Sequence, residues 1–232
     1  MKIYIDSSNI SDIEKCAKTG LVDGVTTNPS LIAKEGKPLL PTIKSIFSIL
    51  ARYSPKDFTV SVEVTNLTSA QTMIEEGKKI AKLNKHVLVK VPLTRDGLIA
   101  VKALSKLGIR CNVTLCFSLS QAVLAAKAGA YCVSPFLGRI DDEGFSGVEL
   151  LEKIRFVYDA YGFSTKILAA SIRTTEHVQD ALLSGSDIAT MPAEIFEKMY
   201  YNPLTDLGIS KFEKDWSEYT KKQNGGKNGK RK

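Results

Sequence analysis

Two kinds of segment, a short apolar run and a longer amphipathic stretch, follow each other along the chain, and this pair recurs eight times. Short apolar runs typical of buried strands are separated by amphipathic segments such as "SSNISDIEKCAKTG", in which Ile10, Ile13 and Cys16 have helical spacing and Gly20 is a stop signal. The predicted strands are 2–6, 22–28, 58–64, 87–91, 109–115, 130–135, 166–171 and 187–192. This alternation predicts parallel strands joined by helical crossovers, and the length of 232 residues fits a (β/α)8 TIM barrel of the α/β class. A doubly wound open sheet is the structural alternative.

One further amphipathic segment follows the eighth pair. Residues 202–219 predict an extra C-terminal helix that contains the single tryptophan, Trp216. We expect one barrel domain over residues 1–220 that includes this helix. The helix could pack on its own barrel or on a neighbouring subunit, and the sequence does not choose between them.

The positive charge of the chain is concentrated at its end. The net charge is +7, and the segment 221–232, "KKQNGGKNGKRK", holds six basic and no acidic residues. A Gly, Asn and Lys composition of this kind predicts a disordered tail. The rest of the chain is nearly neutral, so we do not expect nucleic acid as a partner; weak polyanion binding by the tail is the alternative.

Several classes of protein are disfavoured by what the sequence lacks. No apolar run approaches the ~18 residues that span a bilayer, and Asp6 interrupts the N-terminus before a signal-peptide core could form, so we expect a cytoplasmic protein without a membrane partner. The four cysteines have no CxxC spacing, and His86 and His177 form no metal-binding motif. We therefore expect no metal and no cofactor.

Polar residues inside the predicted strands indicate a site. In "TVSVEV" the valines share one face of the strand, and Thr59, Ser61 and Glu63 share the other, which would face the barrel interior. The same alternation places further polar residues at or near the C-terminal ends of strands: Asp6, Asn28, Lys90, Asn112, Thr114, Ser134 and Ser171. Barrel enzymes assemble their sites at that end.

Lys90, in "VLVKVPLT", is the most unusual of these residues, because lysine is rarely buried without a partner or a role. Burial favours the neutral amine, which attacks carbonyls and forms Schiff bases. A structural salt bridge from Lys90 to Glu63 or Asp6 is the alternative. A carboxylate near an imine can serve as acid and base for the proton transfers.

A second group of residues predicts anion binding. Arg139 follows the sixth strand, and Ser171 and Arg173 follow the seventh, where a helix begins. Guanidinium groups, a hydroxyl and helix N-terminal amides suit a phosphate, and barrels often bind phosphate in their last loops. Together with the lysine, these residues predict a sugar phosphate substrate.

The motifs resemble those of the transaldolase family, in its short branch that also includes the fructose-6-phosphate aldolases. They run in family order from "KIYIDSSN" through "DGVTTNPSLIAKEGK", "VSVEV", "VLVKVPLTRDGLIAVKAL", "CNVTLCFSLSQAVLAAKAGA", "SPFLGRIDD" and "AASIR" to "GSDIATMP". The resemblance implies a metal-free mechanism in which Lys90 forms a Schiff base with a ketose phosphate and Asp6 is the base for carbon–carbon cleavage. It implies that Glu63 and Thr114 hold a catalytic water. It further implies that the dihydroxyacetone unit is bound by Asn28, Asn112 and Ser134, and the phosphate by Arg139, Ser171 and Arg173.

The resemblance leaves two activities open. A transaldolase transfers the dihydroxyacetone unit from sedoheptulose 7-phosphate or fructose 6-phosphate to glyceraldehyde 3-phosphate or erythrose 4-phosphate, in the pentose phosphate pathway, whereas an aldolase releases it to water. Family transaldolases resemble this chain at Glu63 and Phe136, where the aldolases have Gln and Tyr. We therefore favour transaldolase, with fructose-6-phosphate aldolase as the alternative. An inactive barrel that binds polyanions through its tail is the alternative of another class.

The resemblance also implies an assembly. Family members form homo-oligomers, often decamers, in which the C-terminal helix reaches a neighbouring subunit. We therefore expect a homo-oligomer built through residues 202–219.

Overall fold

Eight parallel strands close into a barrel in chain order, which confirms the predicted (β/α)8 architecture. The computed structural model describes residues 1–228, with side chains described to residue 223. The strands are β1 Lys2–Asp6, β2 Gly24–Thr26, β3 Thr59–Glu63, β4 Val87–Pro92, β5 Cys111–Cys116, β6 Cys132–Pro135, β7 Lys166–Ala169 and β8 Ile188–Met191. β8 pairs with β1 and completes the ring.

Helices connect the strands, and most begin at a polar cap. They are α1 Ile10–Ala17, α2 Pro29–Glu35, α3 Leu39–Tyr53, α4 Ala70–Ala81, α5 Arg95–Lys106, α6 Leu119–Ala128, α7 Leu137–Asp142, α8 Gly147–Tyr161, α9 Thr175–Leu183, α10 Ala193–Lys198 and α11 Pro203–Asn228. Side chains of Asn9, Ser118 and Thr174, among others, accept a backbone N–H of the first helical turn. These short polar residues favour helix starts and thereby end the preceding loops at fixed points.

The strands bury two separate apolar layers. Alternate residues such as Val60, Val62 and Val113 face outward and join the main core beneath the helices. The inner layer is a smaller cluster inside the barrel: Tyr4, Leu88, Cys132, Leu168, Ala170 and Ile188. Period-two alternation in strands thus separates the helix-facing from the interior side chains, as the sequence predicted.

The interior changes character along the barrel axis. Two residues after Tyr4, Leu88 and Cys132, on the same face of each strand, lie Asp6, Lys90 and Ser134. The amino-terminal half of the interior is therefore mostly apolar, and the carboxyl-terminal half is mostly polar. This gradient fixes the end at which a site can form.

Gly24 allows the barrel to close tightly between β1 and β3. It pairs with Tyr4 on one side and with Thr59 on the other. The hydroxyl groups of Tyr4 and Thr59 hydrogen-bond to each other at 2.5 Å. A Cβ atom at Gly24 would lie 2.5 Å from the Thr59 carbonyl oxygen and 2.8 Å from the Tyr4 ring. Only glycine fits at this position without displacing backbone.

The chain forms two compact units, one of residues 1–196 and one that begins at Glu197. A single domain over residues 1–220 stays a prediction. Helix α11 begins near the predicted residue 202 but continues beyond 219, so residues 221–228, for which we predicted disorder, are helical. Each residue added to an existing helix gains a backbone hydrogen bond, and lysine is a good helix former. The rest of the predicted tail, 229–232, lies outside the described residues.

Within residues 1–228 no helix combines the length and the apolar character needed to cross a bilayer. The four cysteines, all in the described part of the chain, are buried and form no disulfide.

Replacing Gly24 with Ala should lower the free energy of unfolding by about 1–3 kcal/mol, since the added methyl group overpacks the β1–β3 contact. Urea denaturation followed by circular dichroism measures the change. The matched control is Gly208→Ala in α11, where a Cβ would meet nothing within 4 Å and helix propensity improves. Equal effects of the two substitutions would contradict the packing argument.

Candidate active site

A cavity of about 130 Å³ opens at the carboxyl ends of the strands. Nine of the predicted site residues line it: Asp6, Asn28, Lys90, Asn112, Thr114, Ser134, Phe136, Arg139 and Ser171. A wider cavity of about 500 Å³ adjoins it and adds Glu63, Lys34 and Leu115 to the lining. The barrel therefore brings together residues from six strands and their loops in one small polar space.

Lys90 points its amine into the barrel interior and is only 6 % exposed. Its Nζ donates a hydrogen bond of 3.0 Å to the carbonyl oxygen of Thr27 and lies 3.2 Å from Oε2 of Glu63. The predicted structural alternative for Lys90, an ion pair with Glu63, is thus present. It does not exclude a chemical role, because Lys90 also lines both cavities.

Asp6, at the end of β1, is held by a chain of hydroxyls. Thr26 Oγ1 donates to Asp6 Oδ1 at 2.6 Å and lies 2.7 Å from Thr190 Oγ1. Burial raises the pKa of Asp6, and the Thr26 hydrogen bond and the charge of Lys90 oppose that rise. A carboxylate with a raised pKa is a stronger base.

Asn112 and Ser134 form a fully buried polar pair. Ser134 Oγ donates to Asn112 Oδ1 at 2.7 Å, and Asn112 Nδ2 donates to Ser61 Oγ at 3.2 Å. The amide orientation is therefore fixed by two neighbours. The pair presents defined donors and acceptors to a ligand in the cavity.

Thr114, two residues further along β5, has no such partner. Its hydroxyl is buried and makes no hydrogen bond to any described residue, although it lines both cavities. Buried hydroxyls are almost always satisfied by protein, water or ligand. The Thr114 hydroxyl is therefore able to bond to a water or ligand in the cavity.

Asn28 links the site to helix α2. Its side-chain oxygen accepts the Leu31 N–H at 2.9 Å and caps the helix. The capping bond leaves the amide NH2 of Asn28 available to a ligand in the cavity, which the residue also lines.

The far side of the cavity carries a cation and aromatic rings. The guanidinium of Arg139 lies 5.1 Å from the centroid of the Phe136 ring, and Phe117 meets that ring edge-on at 5.7 Å. Contacts of this kind hold both the ring and the guanidinium in place. Ser171 adopts a left-handed φ of 58°, a costly conformation for a residue with a side chain. Leu115, in the wider cavity, has φ 61° and lies within β5, so backbone strain accompanies the site at two positions.

Arg173 is the one predicted site residue that lines neither cavity. Its guanidinium forms a two-pronged ion pair with Asp142 at the end of α7, with N–O distances of 2.5 and 2.6 Å. The neighbouring Ser171 reaches the cavity, so Arg173 lies just beyond its edge.

Three groups that contact the site residues were not predicted from the sequence. Thr26 and Thr190 are buried strand residues that the period-two pattern places inside the barrel, so they could have been found in the way that Lys90 was. The Thr27 carbonyl that accepts from Lys90 carries no signal in the sequence. Among the described residues, no three His, Cys, Asp or Glu side chains are clustered to hold a metal ion.

The chain is similar in sequence to known proteins. Residues 3–223 match the family model "Transaldolase/Fructose-6-phosphate aldolase". A "Probable transaldolase" from Caulobacter vibrioides is 51 % identical over 217 residues, which cover 94 % of this chain and 97 % of the relative. Another protein of that name, from Lactiplantibacillus plantarum, is 49 % identical over 219 residues, with 94 % and 98 % covered.

A solved structure supports the fold alone. Thiamine phosphate pyrophosphorylase from Pyrococcus furiosus superposes with a TM-score of 0.57 at 14 % identity, covering 83 % of this chain and 85 % of that one. The family assignment rests instead on the sequence match over nearly the whole barrel and on relatives at about half identity. The chain belongs to the transaldolase/fructose-6-phosphate aldolase family.

Proposed function

We propose that this chain is a transaldolase that transfers a dihydroxyacetone unit between sugar phosphates through a Schiff base on Lys90. The observation that carries the proposal is the buried Lys90 amine in a small polar cavity, between the Glu63 carboxylate and the Thr27 carbonyl. The donor would be fructose 6-phosphate or sedoheptulose 7-phosphate, and the acceptor erythrose 4-phosphate or glyceraldehyde 3-phosphate.

The first step needs a neutral amine. Glu63 lies 3.2 Å from Lys90 Nζ and is the carboxylate nearest to the lysine proton. After the proton leaves, the amine adds to the C2 carbonyl of the ketose, and the resulting carbinolamine loses water to give an iminium ion. The unpartnered Thr114 hydroxyl and Glu63 would hold that water and pass the protons.

The second step breaks the C3–C4 bond. Asp6 takes the proton from the C4 hydroxyl, C4 becomes the aldehyde of the departing aldose phosphate, and the electron pair of the broken bond moves into an enamine on Lys90. The raised pKa of Asp6 suits it to this proton transfer. The acceptor aldehyde then enters, the enamine carbon adds to it, and Asp6 returns the proton to the new hydroxyl. Water adds to C2 of the resulting iminium ion, and the carbinolamine breaks down to the new ketose phosphate and the free Lys90 amine.

The remaining residues would bind rather than react. Asn28 and the fixed Asn112–Ser134 pair would take the hydroxyls of the dihydroxyacetone unit. Arg139 and Ser171, on the opposite side of the cavity, would take the phosphate, with Arg173 at its edge.

Transfer and aldolase activity differ in what happens to the enamine while the acceptor is absent. The Phe136 ring, packed between Arg139 and Phe117, presents no hydroxyl to a water near the imine. A tyrosine there would add a polar group. We therefore favour transfer over hydrolytic release, and fructose-6-phosphate aldolase remains the second candidate because the family includes it.

Acceptor dependence tests the proposed activity. Release of glyceraldehyde 3-phosphate from fructose 6-phosphate, followed with a coupled dehydrogenase, should rise by at least about tenfold when erythrose 4-phosphate is added, since the enamine otherwise blocks the next turnover. Equal release without the acceptor would mean that the aldolase alternative is correct.

Lys90→Met should abolish both activities and the adduct trapped by borohydride, because the amine is lost. Lys166→Met, at the opposite end of the barrel, is the matched control and should retain both. A trapped adduct in the Lys90 variant, located by mass spectrometry, would assign the Schiff base to another lysine.

The pH dependence tests the role of Asp6. Activity should fall as the pH drops through the raised pKa of Asp6, where the base becomes protonated. Thr26→Val removes a hydrogen bond that lowers this pKa, so the acid limb of kcat/KM should move to higher pH. Thr59→Val, which removes a buried hydroxyl bonded to Tyr4, should leave the limb in place. An unmoved acid limb in the Thr26 variant would argue against Asp6 as the base.

We further propose that the chain forms a homo-oligomer through α11. The helix exposes large apolar side chains, among them Phe212 at 71 % and Trp216 at 66 %. Exposed apolar groups of this size favour burial against another surface.

The mass of the assembly, measured by light scattering, should therefore exceed that of one chain and should fall in a Phe212→Glu/Trp216→Ser variant. Lys211→Gln changes the charge of the same helix by the same amount and should preserve the assembly. A wild-type chain that is monomeric at micromolar concentration would contradict the proposal.

A further inference from the structure

We propose that Asp142 is a positioning residue that holds Arg173 ready for the substrate phosphate, a role that rests on the proposed function. Arg173 lies two residues after Ser171, which lines the cavity, but its own guanidinium is bound to Asp142.

The contact has the geometry that makes an ion pair specific. Nη1 and Nη2 of Arg173 each donate to a different oxygen of Asp142, at 2.5 and 2.6 Å. Most exposed ion pairs contribute little, but a two-pronged one fixes the plane of the guanidinium. Arginine has five N–H donors, so three remain for a phosphate.

The stem of Arg173 is confined as well. It crosses Gly138 so closely that a Cβ atom there would lie 2.6 Å from the Arg173 Nε and 2.9 Å from its Cδ. The backbone of Gly138 also donates to the Ser171 carbonyl at 3.1 Å. The first turn of α7 thus lies directly against the loop that carries both Ser171 and Arg173.

The adjacent acid of α7 holds the backbone of the same residue. Arg173 N–H donates to His177 Nδ1 at 3.3 Å, and His177 Nε2 lies 3.2 Å from Asp141 Oδ2. Asp141 is itself fixed by the Gly147 N–H at 2.9 Å. Two consecutive acids therefore hold Arg173, one through its side chain and one through its backbone.

This arrangement has a consequence for binding. About half of the Arg173 side chain is exposed, at 48 %, and without a partner it would sample many rotamers. If the arginine moves freely, phosphate binding must order its side chain, and the lost conformational entropy weakens the affinity. If the arginine is already ordered, less entropy is lost and the phosphate binds more tightly. Arg173 also holds the pKa of Asp142 below its usual range, so the pair stays charged.

Asp142→Asn tests the proposal, since the amide cannot accept both guanidinium prongs. It should weaken binding of inorganic phosphate, measured by calorimetry, and raise the KM for fructose 6-phosphate by about three- to tenfold. The value of kcat, and adduct formation with unphosphorylated dihydroxyacetone trapped by borohydride, should change little. Asp142→Glu keeps the charge and should restore part of the affinity.

Two further variants provide the controls. Glu143→Gln removes the same charge from the next residue, which forms no ion pair with Arg173 in the described part of the chain, and should behave as the wild type. In the Arg173→Ala background, Asp142→Asn should have no additional effect on either constant.

The outcomes separate this inference from the proposed function. Unchanged or tighter phosphate binding in Asp142→Asn, or an equal loss in Glu143→Gln, would overturn the positioning role. Tighter binding would instead make Asp142 a competitor of the phosphate. A wild-type enzyme without transferase or aldolase activity would refute the proposed function. The phosphate affinities of the wild type and the variants would still decide the role of Asp142.

Discussion

The closed barrel imposes a limit on which residues can occupy its interior, and the site depends on that limit. Every second side chain of each strand must point inward, where there is space for only a few layers. The layer near the amino ends is apolar, with Tyr4 and Leu88 among its members, and it closes the floor of the cavity. Most of the interior polar side chains lie in the next layer, so closure of the barrel brings Asp6 and Lys90 into the same cavity.

Burying this polar layer has a cost that the structure offsets by pairing. The Lys90–Glu63 ion pair is nearly solvent-free, and removal of one partner from such a pair typically costs about 3–5 kcal/mol. Asp6 is similarly supported by Thr26, and Asn112 by Ser134. Thr114 is the exception, because its buried hydroxyl has no partner among the described residues. Burial of this hydroxyl costs free energy unless a water or ligand forms a hydrogen bond to it.

The anion end of the site is built differently from the floor. Its residues lie on α7, which follows β6, and on the loop after β7. Backbone hydrogen bonds join these two segments, such as that from Leu137 N–H to the Ala170 carbonyl. Arg139 is held against an aromatic ring and Arg173 by a carboxylate, so each cation has its own support. Rigid support of this kind permits loops, which are otherwise mobile, to hold charged groups in fixed positions.

The sequence alone determined the barrel, its strand order and the interior set around Lys90, because strand periodicity is local and closure forces inward residues of neighbouring strands together. It also predicted that Arg139 and Ser171 lie at the carboxyl-terminal end of the barrel, where both line the cavity. Only the tertiary structure decided where side chains on loops point: Arg173 turns to Asp142, a partner 31 residues away along the chain. The Thr27 carbonyl at Lys90 and the length of α11 were likewise beyond prediction. Contacts of this kind depend on the meeting of distant backbone segments, which no local pattern encodes.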